Sequence, residues 1–263
     1  MTNAIGGFDH VIVGVADLEA ARDTYRRLGF TLSPRGRHFG WGTANYCIMF
    51  DGDYIELLGI VDASQFTNNL DKKLAESGEG LMSLSYATQD AGAAYAALKA
   101  LGAEPPKPLS RALELPSGEV EPRFELVHLL PQATPGAPSF VIRHLTPDLV
   151  WQAQWLDHAN GATAIASATV RVEDLDEAAG AYGKLFGTDA VSGSVVRVGK
   201  GCLYLQPAGP DAPPGPVGFE VKVSDIDQTA AVLEKAGIAF ERQDREIKVA
   251  AGDACGVALV FSA

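Results

Sequence analysis

The sequence of 263 residues predicts an α+β fold made of four βαβββ units that pair into two half-barrel domains. Two observations predict this fold. A strand-like run is followed four times by a helical pattern that begins at an Asp suited to the N-cap and ends at a Gly suited to left-handed backbone. Each helical pattern is then followed by two or three strand-like runs separated by turn residues. The residues concerned are Asp17 and Gly29, Asp90 and Gly102, Asp174 and Gly187, and Asp225 and Gly237.

The order of the units predicts the domain organisation. One unit cannot cover both faces of its own sheet, so consecutive units are expected to pair. We predict a first domain over residues 1–150, a crossing segment over 151–162 and a second domain over 163–263. The stretch 69–77 is predicted to be a short helix that joins the first two units.

Composition excludes several classes of partner. The chain is 47% hydrophobic and 21% charged, which is typical of a globular protein. A net charge of −12 argues against nucleic acid and against an anionic membrane surface, because both attract clustered Lys and Arg. No apolar run approaches the roughly 20 residues of a membrane span. The expected partners are a small-molecule substrate or ligand and a second copy of the chain in a homodimer.

The cysteines and the N-terminal segment predict a cytoplasmic location. Cys47, Cys202 and Cys255 are odd in number, far apart and set in apolar runs, which is typical of reduced core thiols. The segment 1–7 lacks the basic and apolar regions of a secretion signal.

Two predicted strands each carry one ionisable residue among apolar neighbours. His10 lies in the first strand with Ile12 on its face, and Glu56 lies between Ile55 and Leu57 in the last strand of the first unit. Side chains alternate along a strand, and a carboxylate in an apolar strand is costly unless it is paired, hydrogen-bonded or metal-bound. If both strands turn their polar faces the same way, His10 and Glu56 meet across the sheet.

These residues carry a family resemblance. A βαβββ unit with a His on its first strand and Tyr-Ile-Glu-Leu at 54–57 on its last resembles the vicinal oxygen chelate superfamily, whose folds are glyoxalase- and bleomycin-resistance-like half-barrels. The stretches 37–45 and 158–162, and Thr146-Pro147 with Trp151, resemble the signature of its glyoxalase-like domain branch. The superfamily includes lyases, isomerases, epimerases, dioxygenases and metal-free resistance proteins.

The resemblance implies metal ligands at four equivalent points, on the first and last strands of two paired units. His10 and Glu56 occupy the two points of the first unit, and Ser83 stands where the second unit usually has His. A gapless match puts Arg143 at the fourth point, whereas a one-residue shift puts His144 there. The implied ligands are therefore His10, Glu56 and His144, for Zn, Mn or Fe(II). The alternative is a buried His10–Glu56 pair without metal.

Further residues are candidates for catalysis or substrate binding. His38 is a candidate acid/base group beside catalytic Glu56, and Trp41 and Asn45 are candidate substrate contacts; the alternative is a locally packed glycine-rich turn. Ser83 is a candidate substrate contact as well. Arg143 could hold a substrate carboxylate by two parallel hydrogen bonds. Two other histidines, His128 and His158, are predicted to be structural.

The favoured function is that of a metal-assisted lyase or isomerase acting on a small oxygenated molecule. One alternative is a metal-free protein that binds or sequesters a small molecule, and another is an Fe(II) ring-cleaving dioxygenase. In the last two units Ser167 and Gly218 stand at the His10 position, so the second half is expected to contribute stability, dimerisation or a lid.

Overall fold

The helices begin at the aspartates that the sequence indicates. In the computed structural model, which describes residues 4–263, the side chain of each of the four aspartates accepts hydrogen bonds from backbone N–H groups in the first helical turn. The glycines that follow have positive φ angles, as predicted: Gly29 at 91°, Gly102 at 84°, Gly187 at 98° and Gly237 at 67°. Residues 1–3, part of the N-terminal segment considered above, lie outside the described residues.

The first half contains two βαβββ-type units and the helix that joins them. Its elements are β1 (Phe8–Val15), α1 (Leu18–Arg27), β2 (Gly36–His38), β3 (Thr43–Met49), β4 (Tyr54–Ile60), α2 (Leu70–Ser77), β5 (Gly80–Ala87), α3 (Ala91–Leu98), β6 (Lys107–Leu115), β7 (Gly118–Val120), β8 (Arg123–His128), β9 (Ser139–His144) and α4 (Pro147–Val150).

The second half repeats the unit twice more. Its elements are β10 (Ala162–Val172), α5 (Leu175–Phe186), β11 (Val191–Ser192), β12 (Val195–Val198), β13 (Gly201–Pro207), β14 (Gly215–Val223), α6 (Ile226–Lys235), β15 (Phe240–Gln243), β16 (Glu246–Val249) and β17 (Ala258–Ser262). Short 3-10 turns lie at Lys99–Leu101, Pro131–Ala133, Ala153–Trp155, Thr188–Ala190 and Ala251–Asp253.

The units pair as predicted, and the first pair closes on itself. The first sheet has the order β2-β3-β4-β1-β5-β9-β8-β6-β7, and an additional β2–β6 pairing joins its ends into a ring of eight strands. The second sheet has the order β11-β12-β13-β10-β14-β17-β16-β15 and stays open. In both sheets the first strands of the two units run antiparallel at the centre, and each is parallel to the last strand of its own unit.

Strand alternation separates core from cavity. Val11, Val13 and Val15 of β1 are fully buried in the core, on the face opposite His10. The same core includes residues of both sheets, and Phe30 stacks on Phe261 with ring centroids 5.7 Å apart. Burying a large apolar side chain stabilises a fold by about 1.5–3 kcal/mol, so this shared core holds the two halves together.

Hydrogen bonds fix the segment between the two halves and also join the halves to each other. Asn160 donates from its backbone to Gly29 O at 3.2 Å and from its side chain to Leu28 O at 2.9 Å. Asp53, after the β3–β4 turn, accepts a hydrogen bond from Ile165 N at 3.0 Å. Burial raises the pKa of Asp53 to about 7, against the opposing hydrogen bond from Ile165.

Within residues 4–263, no helix combines the length and apolar character that crossing a membrane requires.

Candidate functional site

A cavity of about 340 Å³ opens inside the ring of the first sheet, which is a volume suited to a small-molecule site. Its lining residues all lie between 10 and 142, and the surface that they present to the cavity is mainly apolar. Among them are six side chains of His, Glu, Lys and Arg: His10, His38, Glu56, Lys73, Arg111 and His128. In such cavities a small number of polar side chains orients the bound molecule.

Asp9 fixes His10 from behind. His10 Nδ1 lies 2.7 Å from Asp9 Oδ1, and the second imidazole on this carboxylate is that of His144, whose Nε2 lies 3.1 Å from each Asp9 oxygen. Burial would raise the pKa of Asp9, but the charge of His144 and the hydrogen bonds of both imidazoles outweigh it and hold the pKa at about 2. Asp9 is therefore an ionised acceptor, and both facing imidazole nitrogens donate to it.

The other ring nitrogen of His10 faces Glu56. Nε2 of His10 and Oε2 of Glu56 are 3.5 Å apart, and both side chains are at least nine-tenths buried. Tyr54 stacks on the imidazole with centroids 4.4 Å apart and so holds the ring plane. Because Nδ1 carries the proton given to Asp9, a neutral His10 would present a bare lone pair to the carboxylate. A proton between Nε2 and Glu56 Oε2 would remove this repulsion.

Glu56 is connected to a buried arginine through an amide. Asn45 donates to Glu56 Oε1 at 2.5 Å, and Arg111 Nη1 donates to Asn45 Oδ1 at 2.8 Å. Arg111 is only 3% exposed, and its Nη2 lies 3.6 Å from Cys47 Sγ. Sequence reasoning missed Arg111, although a single basic residue in the apolar run Leu109–Leu113 was a usable signal.

Gly36 makes the contact between Asn45 and Arg111 possible. A Cβ atom at this position would lie 2.1 Å from Asn45 Oδ1 and 2.2 Å from Arg111 Nη1, so any side chain here would displace these two groups. β2 pairs with β3 on one side and with β6 on the other, so Gly36 sits between the two polar residues.

His38 and Trp41 lie at the cavity as well. His38 Nδ1 is 3.0 Å from Thr43 Oγ1, and burial lowers the pKa of the imidazole. Trp41 packs 5.3 Å from the His38 ring and meets Phe66 edge-on at 5.1 Å. The segment 67–70 and Lys73 of α2 complete the lining on this side. His38 thus lies at the cavity wall, with its neutral form favoured.

The structure places the candidates of the second unit differently. Ser83 lines the cavity, but its hydroxyl donates to Pro138 O at 2.8 Å. Arg143 pairs with Glu125 at 3.2 Å and does not line the cavity. His144 lines a second cavity of about 400 Å³ together with Asp9.

Strand register decides which residue corresponds to Glu56. Glu56 lies opposite Ile12, two residues beyond His10, and Phe140 lies opposite Ser85, two residues beyond Ser83. The fourth equivalent point therefore holds Phe140 rather than Arg143 or His144. The error in the sequence match is a shift along β9 of three or four residues, which no local pattern could reveal.

The remaining histidines differ in their surroundings. His158 bridges Thr31 N at 3.0 Å and Met49 O at 2.9 Å, so its predicted structural role is confirmed. His128 lines the cavity, and burial lowers its pKa.

The donor set does not fit a resident divalent metal. The four equivalent points hold His10, Glu56, Ser83 and Phe140, of which Ser83 is engaged with a backbone carbonyl and Phe140 has no donor atom. Among residues 4–263, no three or more His, Cys, Asp or Glu side chains are grouped so as to hold a metal ion. Catalytic zinc sites use three protein ligands, and this site offers two.

The fold and the site define a protein of the vicinal oxygen chelate superfamily. Paired βαβββ units surround a cavity in which the first and last strands of one unit present a His and a Glu. The chain belongs to the glyoxalase-like domain family Glyoxalase_3, whose family model matches residues 8–186. No curated protein matches the chain.

Solved structures share the fold at low sequence identity. A hypothetical protein from Staphylococcus aureus superposes with a TM-score of 0.71 at 15% identity, over 97% of this chain and 98% of that one. A mutant of 4-hydroxymandelate synthase from Streptomyces coelicolor gives 0.67 at 14% identity, over 98% and 92%. A xylose isomerase-like TIM barrel/4-hydroxyphenylpyruvate dioxygenase fusion protein gives 0.62 at 14% identity, over 98% of this chain and 48% of the fusion.

Proposed function

We propose that this chain is a lyase or isomerase that moves a proton on a small oxygenated molecule by means of His10 and Glu56, without a resident metal. The observation that carries the proposal is the 3.5 Å separation of His10 Nε2 and Glu56 Oε2 at the wall of the cavity. Two adjacent ionisable groups between which a proton can pass can serve as the acid and the base of a proton transfer.

Each neighbour of the pair has a role in this chemistry. Asp9 holds the Nδ1–H of His10, so that Nε2 is the atom that gains and loses the mobile proton. Glu56 takes a proton from a substrate carbon next to a carbonyl group, and His10 delivers one to the neighbouring carbon or oxygen. Asn45 holds Glu56 Oε1, so Oε2, the oxygen that faces His10 Nε2, is the one that acts as the base. The apolar side chains of the wall lower the local dielectric and so strengthen the interactions between these charges.

A second candidate is a protein that binds a small molecule without transforming it. The mainly apolar lining of the cavity favours this candidate, because it suits tight enclosure of a ligand. In that case the His10–Glu56 pair would be a structural element of the wall. The dioxygenase alternative needs Fe(II) ligands that this donor set does not supply.

Hydrogen exchange tests the proposal directly. The protein, in D₂O with EDTA, is incubated with a panel of small aldehydes, ketones and 2-oxo acids, and loss of the C–H signal next to the carbonyl is followed by proton NMR. We expect catalysed exchange with at least one class, reduced about 100- to 10,000-fold in His10→Gln and Glu56→Gln. His128→Gln, which changes a cavity histidine outside the pair, should retain exchange.

Three results separate the candidates. Binding of a panel member with no exchange would favour the binding protein. Exchange that appears only after a divalent metal is added would contradict the metal-free mechanism. Equal exchange in wild type and both variants of the pair would contradict the assignment of His10 and Glu56.

A further inference from the structure

We propose that Arg111 is a carboxylate-binding residue, and that the ligand of this cavity is therefore a small organic carboxylate with an apolar body. The inference rests on the proposed function in that it concerns the same cavity, but it requires only binding and no proton transfer. The sequence suggests Arg143 for this role, whereas the structure turns Arg111 toward the cavity instead.

The guanidinium of Arg111 has too few partners for its burial. It has five N–H donors, and it makes hydrogen bonds to Asn45 Oδ1 and, more weakly, to Cys47 Sγ. Within the described chain, no carboxylate oxygen lies within 4.0 Å of it, whereas Arg143 has Glu125 at 3.2 Å. Buried charges are normally paired, so a cavity-facing arginine without a direct acidic partner calls for an anion from the ligand.

The charge of the cavity points the same way. The chain as a whole carries a net charge of −12, yet the charged side chains lining the cavity are one acid, Glu56, and two bases, Lys73 and Arg111. Counting only these three permanently ionisable side chains, the lining has one positive charge in excess. A monoanion neutralises it. Asp9 lies behind His10 and is occupied by two imidazoles.

The arrangement favours a carboxylate over a phosphate. A carboxylate is planar and matches two parallel N–H groups of one guanidinium. A phosphate near neutral pH carries up to two charges and three acceptor oxygens, and only Lys73, on α2, adds a second cation to the lining. The single amide of Asn45 separates Arg111 from Glu56. A carboxylate on Arg111 therefore places the adjoining carbons beside the His10–Glu56 pair.

The backbone supports this placement of Arg111. Gly36 allows the guanidinium to approach Asn45, because any Cβ there would overlap Arg111 Nη1. β2 and β6 meet only where the ring closes, with His38 opposite Arg111. The fold thus holds a permanently charged guanidinium at the cavity wall rather than at the surface.

Matched ligands test the inference. Phenylacetate, the neutral phenylacetamide and phenyl phosphate are titrated into the protein by calorimetry and thermal shift, together with further acid and amide pairs of varied apolar body. We expect the acids to bind and the matched amides to bind at least about tenfold more weakly. In Arg111→Met this preference should disappear, with acid binding about 10- to 100-fold weaker. Arg143→Met removes the same charge outside the cavity and should leave binding unchanged.

The outcomes are separable from those of the exchange experiment. Arg111→Lys retains the charge but not the planar pair of donors, and it should bind acids more weakly than wild type while remaining folded. Equal binding of acids and amides, or no acid-specific binding across the panel, would overturn the inference even if hydrogen exchange is found. Stronger binding of phenyl phosphate than of phenylacetate would assign a phosphate instead. Acid binding without exchange would leave the inference standing and refute the proposed proton transfer.

Discussion

His10 Nδ1 donates a hydrogen bond to Asp9 Oδ1 at 2.7 Å, although the two residues are neighbours in a strand and simple alternation would put them on opposite faces. The register of β1 against β5 shifts between Phe8 and His10, so regular alternation does not hold here. As a result, a buried acid supports the cavity histidine from within its own strand, and the same acid binds His144.

Replacing Asp9 should change acid stability. Its pKa falls from 3.8 to about 2 on folding, so ionised Asp9 stabilises the fold above pH 4, and this contribution is lost as the pH falls from about 4 to 2. We expect wild type to lose about 2 kcal/mol of unfolding free energy over that range from this group, and Asp9→Asn to lack that loss. Urea denaturation at a series of pH values measures it, with exposed Asp148→Asn as control.

Asp53 should have the opposite effect. Its pKa rises from 3.8 to about 7 on folding because of burial, so the folded state retains a proton that the unfolded state releases. Unfolding free energy should therefore fall by about 4 kcal/mol as the pH rises from 4 to 7. Asp53→Asn keeps an acceptor for Ile165 N and should remove this fall. A variant whose pH profile matches that of wild type and of Asp51→Asn would contradict the assignment.

Metal uptake should be absent or weak. Protein purified without an affinity tag and dialysed against Zn, Mn or Fe(II) should retain far less than one equivalent, as measured by elemental analysis, because two protein ligands do not complete a site. The double variant Ser83→His with Phe140→Glu places ligand groups at all four equivalent points and should gain Zn. One equivalent of metal in wild type that is lost in Glu56→Gln would show the donor argument to be wrong.

Exposed residues of the second half should not be needed for catalysis. Tyr204 is 40% exposed on β13 and lies outside the cavity lining, so Tyr204→Phe should leave ligand binding and hydrogen exchange unchanged. Tyr54→Leu removes the ring stacked on His10 and should slow exchange about 3- to 10-fold, since an aromatic pair contributes about 0.5–1.5 kcal/mol. The comparison uses initial exchange rates at equal folded fraction, checked by circular dichroism. A loss with Tyr204→Phe alone would place the second half in the site.

Local sequence patterns were enough to predict the repeated unit. Helix capping by aspartate, termination at glycine and strand alternation each depend on only a few neighbouring residues. Their effects can therefore be predicted without knowing the fold. Strand alternation together with the family resemblance also predicted that His10 and Glu56 face each other. The structure brings their side chains to 3.5 Å.

What only the tertiary structure decided was which distant strands contribute to the same cavity. Arg111 meets Asn45 because β2 and β6 close the ring, and Phe140 takes the place expected for Arg143 or His144 because of the register of β9 on β5. Register and closure depend on the packing of whole sheets, and a slip of one residue exchanges the two faces of a strand. The sequence by itself therefore determined the units and the His10–Glu56 pair, whereas the charge of the cavity and the position of Arg111 were set by how the strands assemble.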